Sequence, residues 1–203
     1  MPARAPRKKP PARKPAPLER YRGKRDFKAT PEPPPKRGSK SGRIFVVQEH
    51  DARSHHFDFR LEMNGVLASW AVPKGIPEDL AAKRLAVHVE DHPVSYADFA
   101  GEIPEGNYGA GTVAIWDTGE WEPLDRDWRK SFDKGKLKFI LHGKRLEGPY
   151  LLARMKEEPN WLLRKLDPET HPAGAARQPD AEAVGFVAPQ LSRAVSPVPQ
   201  GKE

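Results

Sequence analysis

The sequence predicts an all-β protein, arranged as a barrel or a sandwich of about eight strands. Short segments in which apolar and polar residues alternate are separated by turn residues such as Asn-Gly. Helical periodicity is weak, because only residues 78–84 and 125–135 form candidate helices. The chain has 203 residues, which is enough for one domain with a substantial core.

The strand candidates follow one another from residue 43. HFDFRLE and VLASWAV form a predicted hairpin, because Asn64-Gly65 supplies the positive φ angles of a two-residue turn. A second hairpin is predicted around Thr118-Gly119 and a third around Gly143. The strand candidates are RIFVVQEH, HFDFRLE, VLASWAV, RLAVHVEDH, GTVAIWD, EWEPL, KLKFILH, PYLLARM and NWLLRKL.

Charge divides the chain into two parts. Residues 1–42 hold 14 Lys/Arg and 3 Asp/Glu, a net charge of +11, whereas residues 43–203 have a net charge of −4. The first part also holds 10 of the 23 prolines, and such sequence buries too little apolar surface to fold. This basic, proline-rich composition is typical of an arm that binds polyphosphate through counterion release. The alternative is a tail that only keeps the protein soluble. We predict a disordered basic arm (1–19), a segment that docks on the domain (20–42), a folded domain (43–166) and a flexible tail or linker (167–203).

The composition excludes several classes of protein. Cysteine is absent, which rules out disulfides, thiolate metal sites and a cysteine nucleophile. No apolar run approaches the roughly 18 residues of a membrane span, and the first residues lack the apolar stretch of a secretory signal. We therefore expect neither a membrane span nor a signal peptide.

The strongest functional signal lies in the segment HFDFRLE. Period two places His56, Asp58 and Arg60 on one face, and a turn after His50 folds that residue back beside His56. Two imidazoles and a carboxylate suit Mn²⁺, Fe²⁺ or Zn²⁺ with open coordination positions. The alternative is a solvated strand face with an Asp58–Arg60 salt bridge. Five of the seven histidines lie within residues 50–92, which favours the metal site.

The alternating segment RLAVHVEDH adds two candidates to this site. Glu90 could orient a metal ligand, and His92 could contact a phosphate or act as a general acid. His55 and His88 are interpreted as ordinary strand histidines. The glycine-rich EGNYGAGTV is explained better by tight turns than by a phosphate cradle, since it opens a strand and lacks the Gly-Lys-Ser/Thr of a P-loop.

Two long stretches, IFVVQEHDARSHHFDFRLEMNGVLASWAVPKG and RLAVHVEDHPVSYADFAGEIPEGNYGAGTVAIWDTGEW, resemble the 3′-phosphoesterase domain of bacterial DNA ligase D. That domain trims 3′ ends in non-homologous end joining, and the resemblance covers about residues 19–166. It implies a compact closed or nearly closed β-barrel with a Mn²⁺ site, for which Co²⁺ or Zn²⁺ are alternatives. It also implies a hydrolase that removes a 3′-terminal ribonucleoside and then the 3′-phosphate, leaving a 3′-OH.

The resemblance further implies roles for individual residues. Residues 20–33 are expected to cross the active site, and their RDFxxTxEP pattern is linked to nucleoside removal. The metal is expected on the inner wall of the closed sheet, and the nucleophile stays open between water, a ribose 2′-OH and a transient phosphohistidine. The implied residues are the metal ligands His50, His56 and Asp58, the phosphate-contacting pair Arg60 and His92, and the further catalytic residues Tyr96, Glu90, Arg25, Asp26 and Glu32.

The same resemblance implies the surroundings of the protein. We expect a monomer in the cytoplasm of a bacterium or archaeon, near the nucleoid, with DNA 3′ ends as substrates and with Ku and a DNA ligase or polymerase as further partners. The C-terminal FVAPQLSRAVSPVPQG resembles the start of a ligase module, but no Lys-x-Asp-Gly motif is present. The chain is therefore expected not to seal nicks, either as a stand-alone protein or as an excised domain.

The residues also leave two other functions open. A His-x-Asp pair with a distant histidine is the ligand pattern of non-haem iron oxygenases. A non-catalytic nucleic-acid-binding barrel with a basic arm is the second alternative. A buried row of His, Asp and Arg argues against the second, because such a row is costly to bury without a ligand.

Overall fold

The computed structural model describes residues 16–39 and 42–172 of the chain. The predicted arm and tail fall mostly on residues 1–15 and 173–203, which lie outside the described residues. The strands are β1 (Ile44–Ala52), β2 (His56–Met63), β3 (Val66–Val72), β4 (Lys83–His88), β5 (Gly101–Ile103), β6 (Gly111–Pro123), β7 (Lys136–Gly143), β8 (Glu147–Arg154) and β9 (Asn160–Lys165). The helices are α1 (Glu19–Gly23), a 3-10 helix (Val94–Asp98) and α2 (Trp128–Asp133).

Eight strands close into an antiparallel barrel. The order is β1-β2-β3-β4-β9-β8-β7-β6, and pairing between β6 and β1 closes the sheet. The short strand β5 pairs with the first residues of β6, beyond the part of β6 that pairs with β7. This topology confirms the predicted closed barrel of about eight strands and excludes the sandwich. No helix within the described ranges is long and apolar enough to cross a membrane.

The hairpin between β2 and β3 turns at the predicted dipeptide. Asn64 has a φ of 55° and Gly65 a φ of 79°, the left-handed conformations that a two-residue hairpin turn requires. The hairpin around Gly143 is also present, as β7 and β8. Local turn chemistry therefore predicted these two connections.

The second predicted hairpin is wrong. Thr118 and Gly119 lie inside the continuous strand β6, and a side chain at position 119 would overlap the His142 carbonyl on β7. The glycine therefore serves close strand packing and not a turn. The pairing of β6 with β1 shifts register between Val47 and Gln48, so a bulge bends the long strand there.

The two helix candidates have different outcomes. Residues 78–84 are not helical, because Asp79 Oδ1 accepts hydrogen bonds from the amides of Ala81 and Ala82 in a bend, and β4 begins at Lys83. The ambiguous segment 125–135 contains the short helix α2. Local side-chain-to-backbone bonds of the Asp79 type compete with helix formation.

The interior of the barrel is filled by large side chains. Its core contains the inward-facing residues of β2 and β3, including Phe59 and Trp70, whereas Asp58 and Arg60 alternate to the outer face. The expectation of a metal site on the inner wall is therefore wrong. Aromatic and aliphatic side chains form the core there, and the polar row lies on the outside. The interior aromatic residues are Phe45, Phe59, Trp70, Trp121, Trp128, Phe139, Tyr150 and Trp161.

A second apolar cluster covers part of this outer face. Leu18 and Tyr21 of the N-terminal segment, which we define as residues 16–39, pack with Val46, Leu67 and Tyr96. Tyr21 is fully buried, and its hydroxyl donates to the Pro33 carbonyl at 2.7 Å. The N-terminal segment and the 3-10 helix thus form a lid over polar residues of β1 and β2.

Candidate active site

Three potential metal ligands meet on the outer face of β1 and β2. The register pairs His50 with His56 across the two strands, and Asp58 follows on the same face of β2. Asp58 Oδ2 lies 3.6 Å from His50 Nδ1, and Asp58 Oδ1 lies 3.8 Å from His56 Nε2. One ligand atom from each of the three residues lies within 4.8 Å of the others. We call these three residues the metal triad, because one ion could contact all of them.

Backbone carbonyls orient both imidazoles of the metal triad. His50 Nε2 lies 2.9 Å from the Gly109 carbonyl, and His56 Nδ1 lies 2.8 Å from the Ser54 carbonyl. Because only an N–H can donate to a carbonyl, His50 Nδ1 and His56 Nε2 are the nitrogens left facing Asp58, and each offers a lone pair to a metal when it carries no proton. Such bonds are the usual second contacts of metal-binding histidines. The residues therefore fit a divalent transition metal.

The Asp58 carboxyl is held in its anionic form. Burial alone would raise its pKa, but the charge of Arg60 and the contacts with His50 and His56 lower that pKa below its usual value. Arg60 Nη2 donates to Asp58 Oδ2 at 3.0 Å. A buried carboxylate beside two imidazoles is a suitable donor set for a hard or borderline cation.

Arg60 is a buried cation with all three nitrogens in use. Its Nε donates to Gln48 Oε1 at 2.8 Å, its Nη1 lies 2.9 Å from His92 Nδ1, and its Nη2 contacts Asp58. The residue is only 2% exposed, and its guanidinium lies 4.9 Å from the centre of the Tyr96 ring. The forked group is therefore fixed next to the metal triad, in the manner of an oxyanion clamp.

His92 is buried beside two guanidinium groups. Burial, followed by Arg60 and Arg25, holds its pKa well below the usual value for histidine, so the ring is neutral. Nδ1 lies 2.9 Å from the Glu90 carbonyl, and Nε2 lies 3.2 Å from Arg25 Nη2. Each neutral tautomer satisfies part of these contacts: Nδ1–H donates to the Glu90 carbonyl and leaves Nε2 to accept from Arg25, whereas Nε2–H leaves Nδ1 to accept from Arg60.

The N-terminal segment brings a second buried guanidinium to the site. Arg25 Nε donates to Glu32 Oε1 at 2.7 Å, and its Nη1 donates to Glu90 Oε1 at 3.1 Å. The Tyr96 hydroxyl donates to Glu32 Oε1 at 2.9 Å. Burial would raise the pKa of Glu90, but Lys24 and Arg25 lower that pKa below its usual value. These ion pairs hold Arg25 against His92.

The structure brings nine of the ten predicted site residues into one connected group. Asp26 is the exception, because it is exposed and its Oδ1 accepts a hydrogen bond from the Lys28 amide within a local turn. His55 pairs with Glu49 at the surface, and His88 packs against Trp70. Neither of these two histidines joins the metal triad.

Sequence reasoning missed several residues of this site. Gln48 is fully buried and binds Arg60, and the Gly109 carbonyl orients His50. One signal was available, since Gln48 is a polar residue in an apolar strand, two positions before His50 and therefore on the same face. Tyr108 also lines the cavity of about 190 Å³ that contains the metal triad, Arg60 and His92.

A known protein family and several curated proteins are similar to this chain. A model of the DNA Ligase D 3'-phosphoesterase domain matches residues 48–154. The multifunctional non-homologous end joining protein LigD of Pseudomonas aeruginosa is 52% identical over 155 residues, which cover 73% of this chain and 18% of that protein. The corresponding repair protein of Mycobacterium tuberculosis is 48% identical over 154 residues, which cover 73% of this chain and 20% of that protein.

The protein of Mycolicibacterium smegmatis, another LigD, is 46% identical over 156 residues. The chain spans about a fifth of the length of the curated relatives it matches. The matched family region contains the metal triad, the forked arginine and the histidine beside it. On this evidence the chain belongs to the DNA ligase D 3′-phosphoesterase domain family.

Proposed function

We propose that this protein is a metal-dependent phosphoesterase that processes DNA 3′ ends for non-homologous end joining. It removes 3′-phosphates and 3′-terminal ribonucleosides and leaves a 3′-OH. The observation that carries the proposal is the metal triad next to the buried fork of Arg60, in one cavity on the outer face of the barrel. Membership of the family supports the DNA-end substrate and the place in end joining.

The metal triad would hold the cofactor, with Mn²⁺ as our first candidate and Co²⁺ or Zn²⁺ as alternatives. When bound, such an ion supplies Lewis-acid polarisation of a phosphoryl oxygen. Arg60 orients the phosphate through its fork, because Asp58, Gln48 and His92 already fix its plane. Its charge offsets the negative charge that builds up on the phosphoryl oxygens.

We also infer a role for His92 besides the phosphate contact or general acid expected from the sequence. In the tautomer whose Nδ1 donates to the Glu90 carbonyl, the neutral ring has no proton to give from Nε2. We propose that Nε2 accepts the proton or hydrogen bond of the attacking hydroxyl, whether that is water or a ribose 2′-OH. In the described structure Arg25 Nη2 occupies this position, so the substrate must displace it or share it.

A primer–template with a labelled 3′-phosphate tests the proposal, with and without added Mn²⁺. We expect phosphate release only with metal, and the same metal requirement on a primer that ends in one ribonucleotide. His56→Ala should abolish both reactions and weaken Mn²⁺ binding in calorimetry. The matched control is His55→Ala, because His55 is the exposed neighbour that pairs with Glu49 and should leave both rates within about twofold.

Three results would contradict the proposal. Phosphate release that persists in a chelator would remove the metal from the mechanism. Turnover of 2-oxoglutarate with Fe²⁺ would support the oxygenase alternative. Tight DNA binding without any change at the 3′ end would support the non-catalytic barrel.

We also infer the cellular setting from the family. Broken DNA ends would be the site of action, in the cytoplasm near the nucleoid, with Ku and an end-joining ligase or polymerase as partners of the protein. Co-purification with Ku on blunt linear DNA, compared with closed circular DNA, tests this part. Equal recovery on both DNA forms would argue against recruitment to ends.

A further inference from the structure

Tyr108 lies at the rim of the active-site cavity, and the mechanism above does not use it. The residue lines the cavity together with the metal triad and Arg60. Nevertheless, 49% of Tyr108 is exposed. A tyrosine usually buries its ring and keeps only the hydroxyl in water. An exposed ring beside a cavity for phosphate therefore suggests a contact with the ligand.

The loop that carries Tyr108 holds the ring in a defined place. Gly106 and Gly109 have φ angles of 86° and 78°, which few other residues adopt, and the Ala110 amide donates to the Asn107 carbonyl. The Gly109 carbonyl accepts the hydrogen bond from His50 Nε2 at 2.9 Å. The residue after Tyr108 is thus tied to the metal triad, which fixes the distance between the ring and the metal site.

Two cations surround the ring. Lys24 Nζ donates to the Tyr108 hydroxyl at 2.9 Å and lies 4.2 Å from the ring centre. The Arg25 guanidinium lies 5.6 Å from the same centre. Proteins that bind single-stranded nucleic acids combine exposed aromatic rings with nearby cations. The bases stack on the rings, and the phosphates contact the cations.

We propose that Tyr108 stacks against the base of the nucleotide that carries the 3′-phosphate. The phosphate lies at Arg60 and the metal triad, and the attached nucleoside extends to the rim, where the ring lies. The inference rests on the proposed function, because it needs the phosphate in this cavity. Every base has a π-face, so such a contact detects that a base is present and not which base it is.

Kinetics on a matched pair of substrates test the proposal. One primer–template ends in an ordinary nucleotide 3′-phosphate, and the other ends in an abasic deoxyribose 3′-phosphate. We expect Tyr108→Leu to raise KM about tenfold on the first substrate and less than twofold on the second. Tyr108→Phe keeps the ring and loses the bond to Lys24, so it should retain most of the affinity. Met155→Ala is the control for loss of an equally exposed side chain, since Met155 is 47% exposed.

A binding measurement gives a second readout that does not depend on turnover. A primer with 2-aminopurine at its terminal nucleotide, whose 3′-phosphate is replaced by an uncleavable methylene phosphonate, is added to wild-type protein with Mn²⁺, and the fluorescence of the base is recorded. Stacking on Tyr108 quenches the signal, and the change Tyr108→Leu restores it.

Three outcomes would overturn the inference. An equal rise in KM for Tyr108→Leu on the base-containing and abasic substrates would show that the residue only positions Lys24. An equal rise in KM for Tyr108→Phe and Tyr108→Leu would show the same. Unchanged 2-aminopurine fluorescence would exclude stacking. If the wild-type protein released no phosphate at all, the proposed function would fail, and the fluorescence would still decide the stacking.

Discussion

Gln48 connects three parts of the candidate active site through one side chain. Its Oε1 accepts from Arg60 Nε at 2.8 Å, and its Nε2 donates to the carbonyls of Tyr96 and Phe99 at 3.0 and 2.8 Å. The residue is fully buried, so its side-chain amide has no access to bulk water. Gln48 therefore sets the plane of Arg60 and attaches the 3-10 helix to β1.

Replacing Gln48 with leucine should damage both stability and activity. Each unsatisfied buried group costs about 1–3 kcal/mol, so the free energy of unfolding should fall by at least about 2 kcal/mol. A displaced Arg60 fork should lower kcat about tenfold or more. Urea unfolding and phosphate release measure the two effects. Gln48→Glu keeps the acceptor for Arg60, so it should retain more kcat than Gln48→Leu, and equal kcat values would contradict the positioning role.

Arg25 adds a second buried guanidinium next to His92, and its charge favours one class of substrate. A terminal phosphate carries close to two negative charges at neutral pH, whereas the diester that precedes a terminal ribonucleoside carries one. Glu32 and Glu90 offset part of the charge of Arg25, but Arg25 is the guanidinium at His92 Nε2, so it should contribute more to phosphate removal than to ribonucleoside removal. This expectation is the opposite of the role in ribonucleoside removal that the resemblance implies for Arg25 and Glu32, and assays of the two steps distinguish them.

Separate assays of the two steps test this preference. We expect Arg25→Ala to slow 3′-phosphate removal about tenfold or more and to slow ribonucleoside removal by a smaller factor. The rate of phosphate removal by Arg25→Lys should lie between those of Arg25→Ala and the wild type. Arg22→Ala removes an exposed arginine of helix α1, three residues before Arg25, and serves as the control. A larger loss on the ribonucleoside substrate would restore the role that the resemblance implied.

At the scale of elements, the N-terminal segment completes the site from outside the barrel. Its helix α1 has only five residues, too few for a helix to be stable alone in water. The segment is held instead by Tyr21, whose ring meets His92 and Tyr96 edge-on at centroid distances of 5.1 and 6.1 Å. The position of Arg25 therefore depends on the burial of this ring as well as on the ion pairs with Glu32 and Glu90.

Truncation of that ring should release the N-terminal segment while the barrel stays folded. We expect Tyr21→Ala to cost about 3–5 kcal/mol of local stability and to accelerate hydrogen exchange in residues 19–33. Amides of β7 and β8 should exchange as in the wild type, because their core does not include Tyr21. Tyr21→Phe, which loses only the bond to Pro33, is the control. Unchanged exchange in residues 19–33 would show that other contacts hold the segment.

At the scale of the whole molecule, charge and chemistry lie in different parts of the chain. Residues 1–15 contain six Lys/Arg and no acidic residue, whereas residues 43–203 have a net charge of −4. The candidate active site, by contrast, is carried by the barrel and the N-terminal segment. The basic residues of segment 1–15 are therefore expected to contribute affinity for nucleic acid and little to the chemical step.

Deletion of residues 1–15 should make DNA binding less sensitive to salt. Loss of six cations should reduce the slope of log K against log[salt] by up to about 5 for duplex DNA. Fluorescence anisotropy over a range of salt concentrations measures the slope. The control is deletion of residues 189–203, which have a net charge of +1. Equal slopes for the deletion and the full chain would leave the arm a solubilising role only.

The sequence by itself determined the features that depend on local chemistry. Alternation placed the metal triad and Arg60 on one face, and Asn64-Gly65 specified its hairpin, because strand period and turn conformation need only neighbouring residues. Only the tertiary structure decided that this face is the outer wall, that β6 runs through Gly119, and that Arg25 lies against His92. These features depend on how side chains fill a closed barrel and on contacts between residues far apart in the chain, and no local pattern encodes them.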